Sequence, residues 1–140
     1  MSAMSTYLEN KIGDHVLRNT AYASPGEDVY VGLIKFYDAP RVETVAGSSP
    51  EPIVQEASGG GYARVQVTAW DAMNDGATQN SGAITFPTAT GDWDNISGVI
   101  ISDASSGGNV LLHGSLTTAR DVKSGDVFKF NIGDLDITFA

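Results

Sequence analysis

The 140-residue sequence contains no cysteine and only two histidines. The absence of a thiol excludes disulfides, thiolate zinc sites and cysteine nucleophiles. No apolar run approaches the roughly 18 residues that a membrane-spanning helix requires. Residues 1–5 lack the basic segment and apolar stretch of a signal peptide. These absences predict a soluble protein that is made in the cytoplasm.

Positive charge is also scarce, because 8 Lys and Arg stand against 17 Asp and Glu, for a net charge of −9. Binding to nucleic acid needs a basic surface that displaces the counterions of the phosphates, and anionic membranes select for the same feature. Neither is therefore an expected partner. The charged fraction of only 18% instead favours surfaces that lie against other proteins.

Residues 5–20 carry the pattern of a short helix. Thr6 and Glu9 have the spacing of a capping box at its start. An apolar stripe follows at intervals of four residues, formed by Leu8, Ile12 and Val16. A stripe this narrow does not support an isolated helix, so the helix must dock either on the rest of the chain or on a partner.

From residue 28 onward the apolar pattern changes to the two-residue period of β-strands. Strands are predicted at 29–37, 62–70, 82–86, 97–102, 110–113, 126–131 and 135–139. Residues 103–109 have the composition of a hairpin connection. Residues 41–61 form a long loop, and loops of this length in compact domains are usually functional or mobile.

These elements predict a mainly β protein, a single antiparallel β-sandwich or flattened barrel with one N-terminal α-helix. We expect a single domain over 1–140, with the helix at 5–20 and the β-sandwich over 28–140. The long 41–61 loop would project from that sandwich.

Neither histidine has the setting of a catalytic group. His113 and Ser115 lie near one another in sequence, but no nucleophile elbow surrounds them. His15 lies on the predicted helix, where a hydrogen-bonding role is the ordinary one. No pair of histidines has the spacing of a metal site. We therefore predict no enzyme activity and assign no catalytic residue.

The acidic loops invite a calcium hypothesis, but their spacing does not match an EF-hand. The relevant residues are Asp71, Asn74, Asp75, Asp92 and Asp94. Turn hydrogen bonds explain them as well, so no metal or cofactor is expected. Trp93 stands in a loop between two acids and is a candidate exposed anchor for a partner, whereas Trp70 ends a predicted strand and is interpreted as core.

Several stretches together resemble a family of small structural proteins of tailed-bacteriophage virions, often labelled tail fibre proteins and similar to capsid decoration proteins. The similar stretches are 7–10, 14–22, 59–64, 84–93, 107–114, 116–118 and 124–128. Residues 32–56 resemble the family less than their flanks do. The resemblance implies a building block on the exterior of the virion, made in the cytoplasm of the host bacterium.

The leading hypothesis from this resemblance is a capsid cement or decoration protein, expected to form homotrimers, that binds the phage major capsid protein and stabilises its lattice. The alternative is a tail fibre, head-spike or adaptor component that positions a host-binding protein. A distant third is a carbohydrate-binding module in which Trp93 or Tyr37 stacks on sugar. The predicted protein-contact residues are Leu8, Ile12, Val16, Val42, Val45, Ile53, Val54 and Trp93.

Overall fold

The computed structural model of the chain describes residues 3–37 and 56–139. These residues form a helix, α1 (Thr6–Arg18), and nine strands. In chain order the strands are β1 (Ala3–Met4), β2 (Tyr30–Lys35), β3 (Val65–Gln66), β4 (Ala77–Gln79), β5 (Ile84–Thr85), β6 (Asp94–Ser102), β7 (Val110–Val122), β8 (Lys129–Phe130) and β9 (Asp136–Thr138).

Helix α1 lies within the predicted range, but its N-cap is Ser5 and not Thr6. Ser5 has an extended backbone, and its Oγ accepts a hydrogen bond from the Leu8 amide at 3.2 Å. The same hydroxyl donates to the Val110 carbonyl on β7. Asn19 ends the helix in the left-handed conformation, which is common at helix C-termini.

The principal sheet has five antiparallel strands in the order β1-β7-β6-β2-β3. The predicted hairpin between residues 97–102 and 110–113 is confirmed as the β6–β7 pair, and both strands are longer than expected. Two further two-stranded sheets pair β4 with β9 and β5 with β8. The predicted strands at 62–70, 82–86 and 126–131 are each reduced to a strand of two residues.

The core lies between the principal sheet and the two smaller sheets. Val31 and Leu33 from β2 belong to it, together with Ile84 from β5 and Ile137 from β9. Aromatic rings fill one part of this layer, where Phe86 makes edge contacts with Phe128 and Phe130. The predicted fold class is confirmed as a mainly β, antiparallel, sandwich-like arrangement with one helix. The described strands do not close into a barrel.

Candidate functional site

The apolar stripe of α1 runs from the core out to the surface. Leu8 is buried and Ile12 packs against the same core. Val16 is 70% exposed, and Leu17 beside it is 84% exposed. The N-terminal half of the stripe therefore docks on the chain itself, while its C-terminal end leaves apolar surface exposed to solvent.

An open apolar groove of about 340 Å³ lies between α1 and the sandwich. Leu8 and Ile12 line its helix side, Leu111 and Leu112 line its β7 side, and Phe139 lies on the side of β9. Binding sites for small molecules combine apolar walls with a few placed polar groups that fix orientation. The lining here is almost wholly apolar, so the groove suits an apolar protein segment better than a polar ligand.

The predicted contact residues of the long loop, Val42, Val45, Ile53 and Val54, lie outside the described residues. The described end of that loop, residues 56–61, is joined to β2. Glu56 forms a bridge with Ile34, and the Ala57 amide donates to the Leu33 carbonyl at 2.9 Å.

A buried ion pair joins Glu56 to Arg64. Arg64 Nε donates to Glu56 Oε1 at 2.7 Å, and Nη2 donates to Oε2 at 2.8 Å. The side chains are only 3% (Arg64) and 16% (Glu56) exposed. The remaining terminal nitrogen, Nη1, donates to Ser102 Oγ and to the carbonyls of Ala104 and Gly107. Arg64 therefore fastens the β6–β7 hairpin connection to the 56–64 segment.

Tyr62 completes this cluster. Its hydroxyl donates to Glu56 Oε1 at 2.8 Å and accepts from the Leu33 amide at 3.0 Å. Burial raises the pKa of Tyr62, and the negative charge of Glu56 raises it further. Burial alone would lower the pKa of Arg64, but its hydrogen bonds to Glu56 and the charge of that carboxylate raise it instead. Both groups therefore hold their protons throughout the physiological pH range.

Trp93 is not an exposed anchor, and the prediction that it would be is wrong. Its side chain is 1% exposed, and Nε1 donates to the Gly60 carbonyl at 2.8 Å. Tyr62 meets its ring edge-on at a centroid distance of 5.4 Å. A buried indole needs an acceptor for its N–H, and Gly60 supplies one. The sugar-stacking hypothesis for Trp93 fails for the same reason.

The prediction for Trp93 rested on the two acids beside it, but their side chains form ion pairs with lysines at the surface. Asp92 lies 3.6 Å from Lys123 Nζ, and Asp94 lies 3.4 Å from Lys35 Nζ. Both are surface pairs, and the indole between them points into the core. Trp70 is partly buried and packs against the core, as predicted.

His113 lies buried inside β7 and not at its end. Its Nδ1 is 2.8 Å from the Tyr37 hydroxyl, so Tyr37 and not Ser115 is the partner of this nitrogen. The other histidine, His15, is exposed on α1, with Nδ1 3.2 Å from the Thr20 carbonyl oxygen.

A small cavity of about 90 Å³ lies beside β7, lined in part by His113, Ser115, Asp134 and Asp136. Ligand pockets typically enclose roughly 300–1,000 Å³, so this one is too small for an ordinary metabolite. Within residues 3–37 and 56–139, no group of three His, Asp or Glu side chains is placed to hold a metal ion. No helix in that part of the chain is long and apolar enough to cross a membrane.

The Glu56–Tyr62–Arg64 cluster was missed by the sequence analysis. Residues 62–70 alternate in polarity, which predicts that Arg64 faces water, and the ionic partner lies eight residues earlier in a loop. A Tyr and an Arg two residues apart, after three glycines, are a weak signal for a buried ion pair. The burial of this ion pair follows from the packing of the 56–64 segment against Ser102, which the sequence does not indicate.

Comparison with known proteins identifies a family that matches the chain. A model described as podophage GP4 fiber I protein gp80 matches residues 3–138, and a search of curated proteins finds no match. The matched range includes α1, the Arg64 cluster and the buried Trp93. It confirms the resemblance drawn from the sequence: the chain belongs to the podophage GP4 fiber I protein gp80 family and is a structural protein of a bacteriophage virion.

Proposed function

We propose that this protein is a fibre-class unit on the exterior of the virion, which connects other virion proteins through protein–protein contacts. The family description supports a fibre component over the other virion parts. The observation that carries the mode of attachment is the exposed end of α1. Val16 and Leu17 project from a helix whose other end is anchored in the core, so the helix presents them on a firm base.

A connecting role without catalysis agrees with the arrangement of the polar groups inside the protein. In the polar cluster around Arg64, the guanidinium is paired with Glu56, and its remaining hydrogen bonds go to the Ser102 hydroxyl and to two backbone carbonyls. Such a cluster holds loops in place. It leaves no general base directed at a substrate position. The protein therefore contributes shape and adhesive surface to the particle.

A capsid cement or decoration protein remains the second candidate. It is favoured by the architecture, because the described residues form a sandwich with one docked helix and not the repeated units of an elongated shaft. In this role the partner is the major capsid protein. Homotrimeric copies would engage several capsid subunits at once, so that modest contacts sum to firm attachment.

Copy number in purified virions separates the two candidates. Quantitative mass spectrometry would compare this chain with the major capsid protein and with a tail protein of known stoichiometry. A copy number near that of the tail protein supports the fibre role. A number near that of the major capsid protein would overturn it in favour of the cement role. Antibody labelling of intact particles gives an independent position.

The proposed attachment surface has its own test, the double variant Val16→Asp with Leu17→Asp. Both side chains are exposed, so we expect the melting temperature to stay within a few degrees and incorporation into virions to fall at least tenfold. Val127→Asp is the matched control, because Val127 is also exposed but does not belong to α1. Equal incorporation of both variants and the wild type would remove α1 from the attachment surface.

A further inference from the structure

Phe36 holds an aromatic ring at the surface in a strained backbone conformation. It is 63% exposed, and its φ of +49° lies in the left-handed region, which a bulky residue rarely adopts. Hydrogen bonds hold the backbone here, since the Phe36 amide donates to the Asn95 carbonyl at 3.2 Å and the Tyr37 amide donates to Ser97 Oγ at 2.6 Å. Strain that the surrounding structure maintains is typical of binding sites. The ring is therefore a candidate anchor, because aromatic side chains are enriched at the centres of protein interfaces.

The open apolar groove beside α1 lies at the opposite end of the principal sheet. Ile101 and Leu112 line the groove and are directly paired near the end of β6, whereas Phe36 bonds to Asn95 near the start of that strand. Ile101 lies six positions after Asn95, and at about 3.3 Å per residue the two are about 20 Å apart. Because the Phe36 backbone is fixed by its hydrogen bonds, its ring does not reach the groove of its own chain.

The groove has the size and polarity to receive a phenyl ring from another molecule. Its volume is about 340 Å³, and an apolar cavity of about 150 Å³ already binds benzene. The described residues that line it carry no charge, so an entering ring desolvates no ionised group. Phe139 borders the groove and is 38% exposed. An edge contact with this ring would add to the burial of an entering phenyl group.

From these observations we propose that copies of this protein associate head to tail, with Phe36 of one copy inserted into the groove beside α1 of a second copy. The anchor and a groove that fits it lie on the same chain, and their separation allows contact between chains but not within one. Such a contact is heterologous, so its repetition closes a ring or continues as a filament. The proposal does not rest on the attachment surface at Val16 and Leu17. Its failure would leave the copy-number test of the fibre role unaffected.

A photo-crosslinking amino acid at position 36 tests the contact directly. Full-length protein with p-benzoylphenylalanine in place of Phe36 is irradiated over a range of concentrations, and the linked peptides are identified by mass spectrometry. Head-to-tail association predicts links between chains, from position 36 to the groove-lining segments around Leu112 and Ile137. Links to other segments, or no link between chains at any concentration, would overturn the proposal. So would irradiated virions in which position 36 links only to a different protein.

Two complementary variants test the direction of the contact. Phe36→Asp removes the anchor and Phe139→Asp places a charge beside the groove, so each should weaken self-association in sedimentation velocity at least about tenfold. A mixture of the two should form one-to-one dimers and nothing larger, because one chain keeps its groove and the other keeps its anchor. Ile132→Asp is the matched control, since Ile132 is 66% exposed and does not line the groove. Wild-type association of Phe36→Asp, or a mixture without dimers, contradicts the head-to-tail contact.

The melting temperature separates a role of Phe36 in binding from a role in the fold. Asparagine tolerates the left-handed conformation better than phenylalanine does. We therefore expect Phe36→Asn to melt at the same temperature as the wild type or higher, while its self-association is lost. A lower melting temperature with unchanged association would show that Phe36 serves the fold, and the proposal would then be wrong.

Discussion

Arg64 shows how much one side chain connects in this protein. Its guanidinium joins the carboxylate of Glu56 to a hydroxyl and two carbonyls around the β6–β7 connection. A buried ion pair contributes little net stability by comparison with a well-packed apolar pair, because desolvation offsets the attraction. Removing one partner is a different matter, since the other charge is left buried and alone.

We therefore expect Arg64→Met to destabilise the fold by about 3–5 kcal/mol. Methionine keeps most of the apolar stem, so the loss reports on the charge and its hydrogen bonds. Urea unfolding at neutral pH measures the change. Arg18→Met is the control, because Arg18 forms an exposed pair with Asp14 one helical turn away, and its loss should cost at most about 0.5 kcal/mol. Equal effects would contradict the buried ion pair.

Gly60 is required for a different reason, the close approach of two loops. Its φ is +53°, and a Cβ on it would lie 2.9 Å from the Gly91 carbonyl oxygen. Gly59 has a similar φ of +69°, but a Cβ there would meet nothing within 4 Å. Alanine would incur the same backbone penalty at both positions, but only at Gly60 would its Cβ also collide with Gly91.

Gly59→Ala should therefore cost about 1 kcal/mol, the usual penalty for a left-handed alanine. Gly60→Ala should cost at least about 2 kcal/mol more, because the loop must shift and weaken the bond from Trp93 to the Gly60 carbonyl. Thermal unfolding gives the stability difference, and tryptophan fluorescence reports the environment of the indole. Identical losses in the two variants would show that the loops do not meet as described.

At the level of elements, α1 depends on its N-terminus. Ser5 caps the helix and at the same time bonds β7, so a single hydroxyl stabilises both the helix and its docking. At the C-terminal end Asn19 ends the helix and its amide donates to the Asp14 carbonyl, while Val16 and Leu17 extend into solvent.

Ser5→Ala should weaken the docking of α1 by about 1.4 kcal/mol, within the range for loss of an N-cap. Because the lost hydrogen bonds belong to α1 and to its docking on β7, the change is expected as about tenfold faster hydrogen exchange of the α1 amides, with little change in the amides of β6. Exchange measured by NMR would show both. Ser24→Ala is the control, because Ser24 is exposed and accepts only from Gly26 in a turn. Uniformly faster exchange across the sheet would contradict local opening.

The pairing of strands that are close in sequence was predictable, whereas the pairing of strands that are far apart in sequence was not. The β6–β7 hairpin joins neighbouring segments through a turn-forming sequence, and β2 consists mainly of apolar and aromatic residues. Strand β9 pairs with β4, and β8 with β5. Short strands carry too few residues to specify a partner that lies far along the chain, so these pairs had no sequence signal.

The candidate contact residues were predictable only in part, for a related physical reason. The spacing of Leu8, Ile12 and Val16 indicates one face of a helix, but not how far that face extends beyond the core. Leu8 is buried in the core and Val16 is 70% exposed, a difference that their equal spacing does not predict. Trp93 shows the converse, since charged neighbours in sequence do not prevent an indole from pointing inward.

On the scale of the whole molecule, the Tyr62 cluster links stability to alkaline pH. Free tyrosine loses its proton near pH 10, but burial and Glu56 raise the pKa of Tyr62 in the folded state. The folded state therefore keeps a proton that the unfolded state has released. Stability from this group is complete below about pH 10 and decreases as the pH rises above it.

We expect the urea midpoint to fall between about pH 10 and pH 11, with a smaller slope in Tyr62→Phe. Chemical denaturation at closely spaced pH values measures it. Tyr62→Phe will also lower stability at neutral pH, since the Leu33 amide loses its acceptor, so the comparison concerns slopes and not absolute values. Parallel pH profiles for the wild type and variant would contradict the role of Tyr62.

The pairing of β4 with β9 has a consequence for the order of events during synthesis. Thr78 lies opposite Ile137, so one strand of this pair leaves the ribosome long before the other. Until β9 has emerged, the face of the principal sheet that Ile137 covers stays open to other nascent chains. Folds dominated by such distant pairings form slowly and pass through adhesive intermediates. The growing chain is therefore most vulnerable to aggregation in the interval between the two strands, and a chaperone would act there.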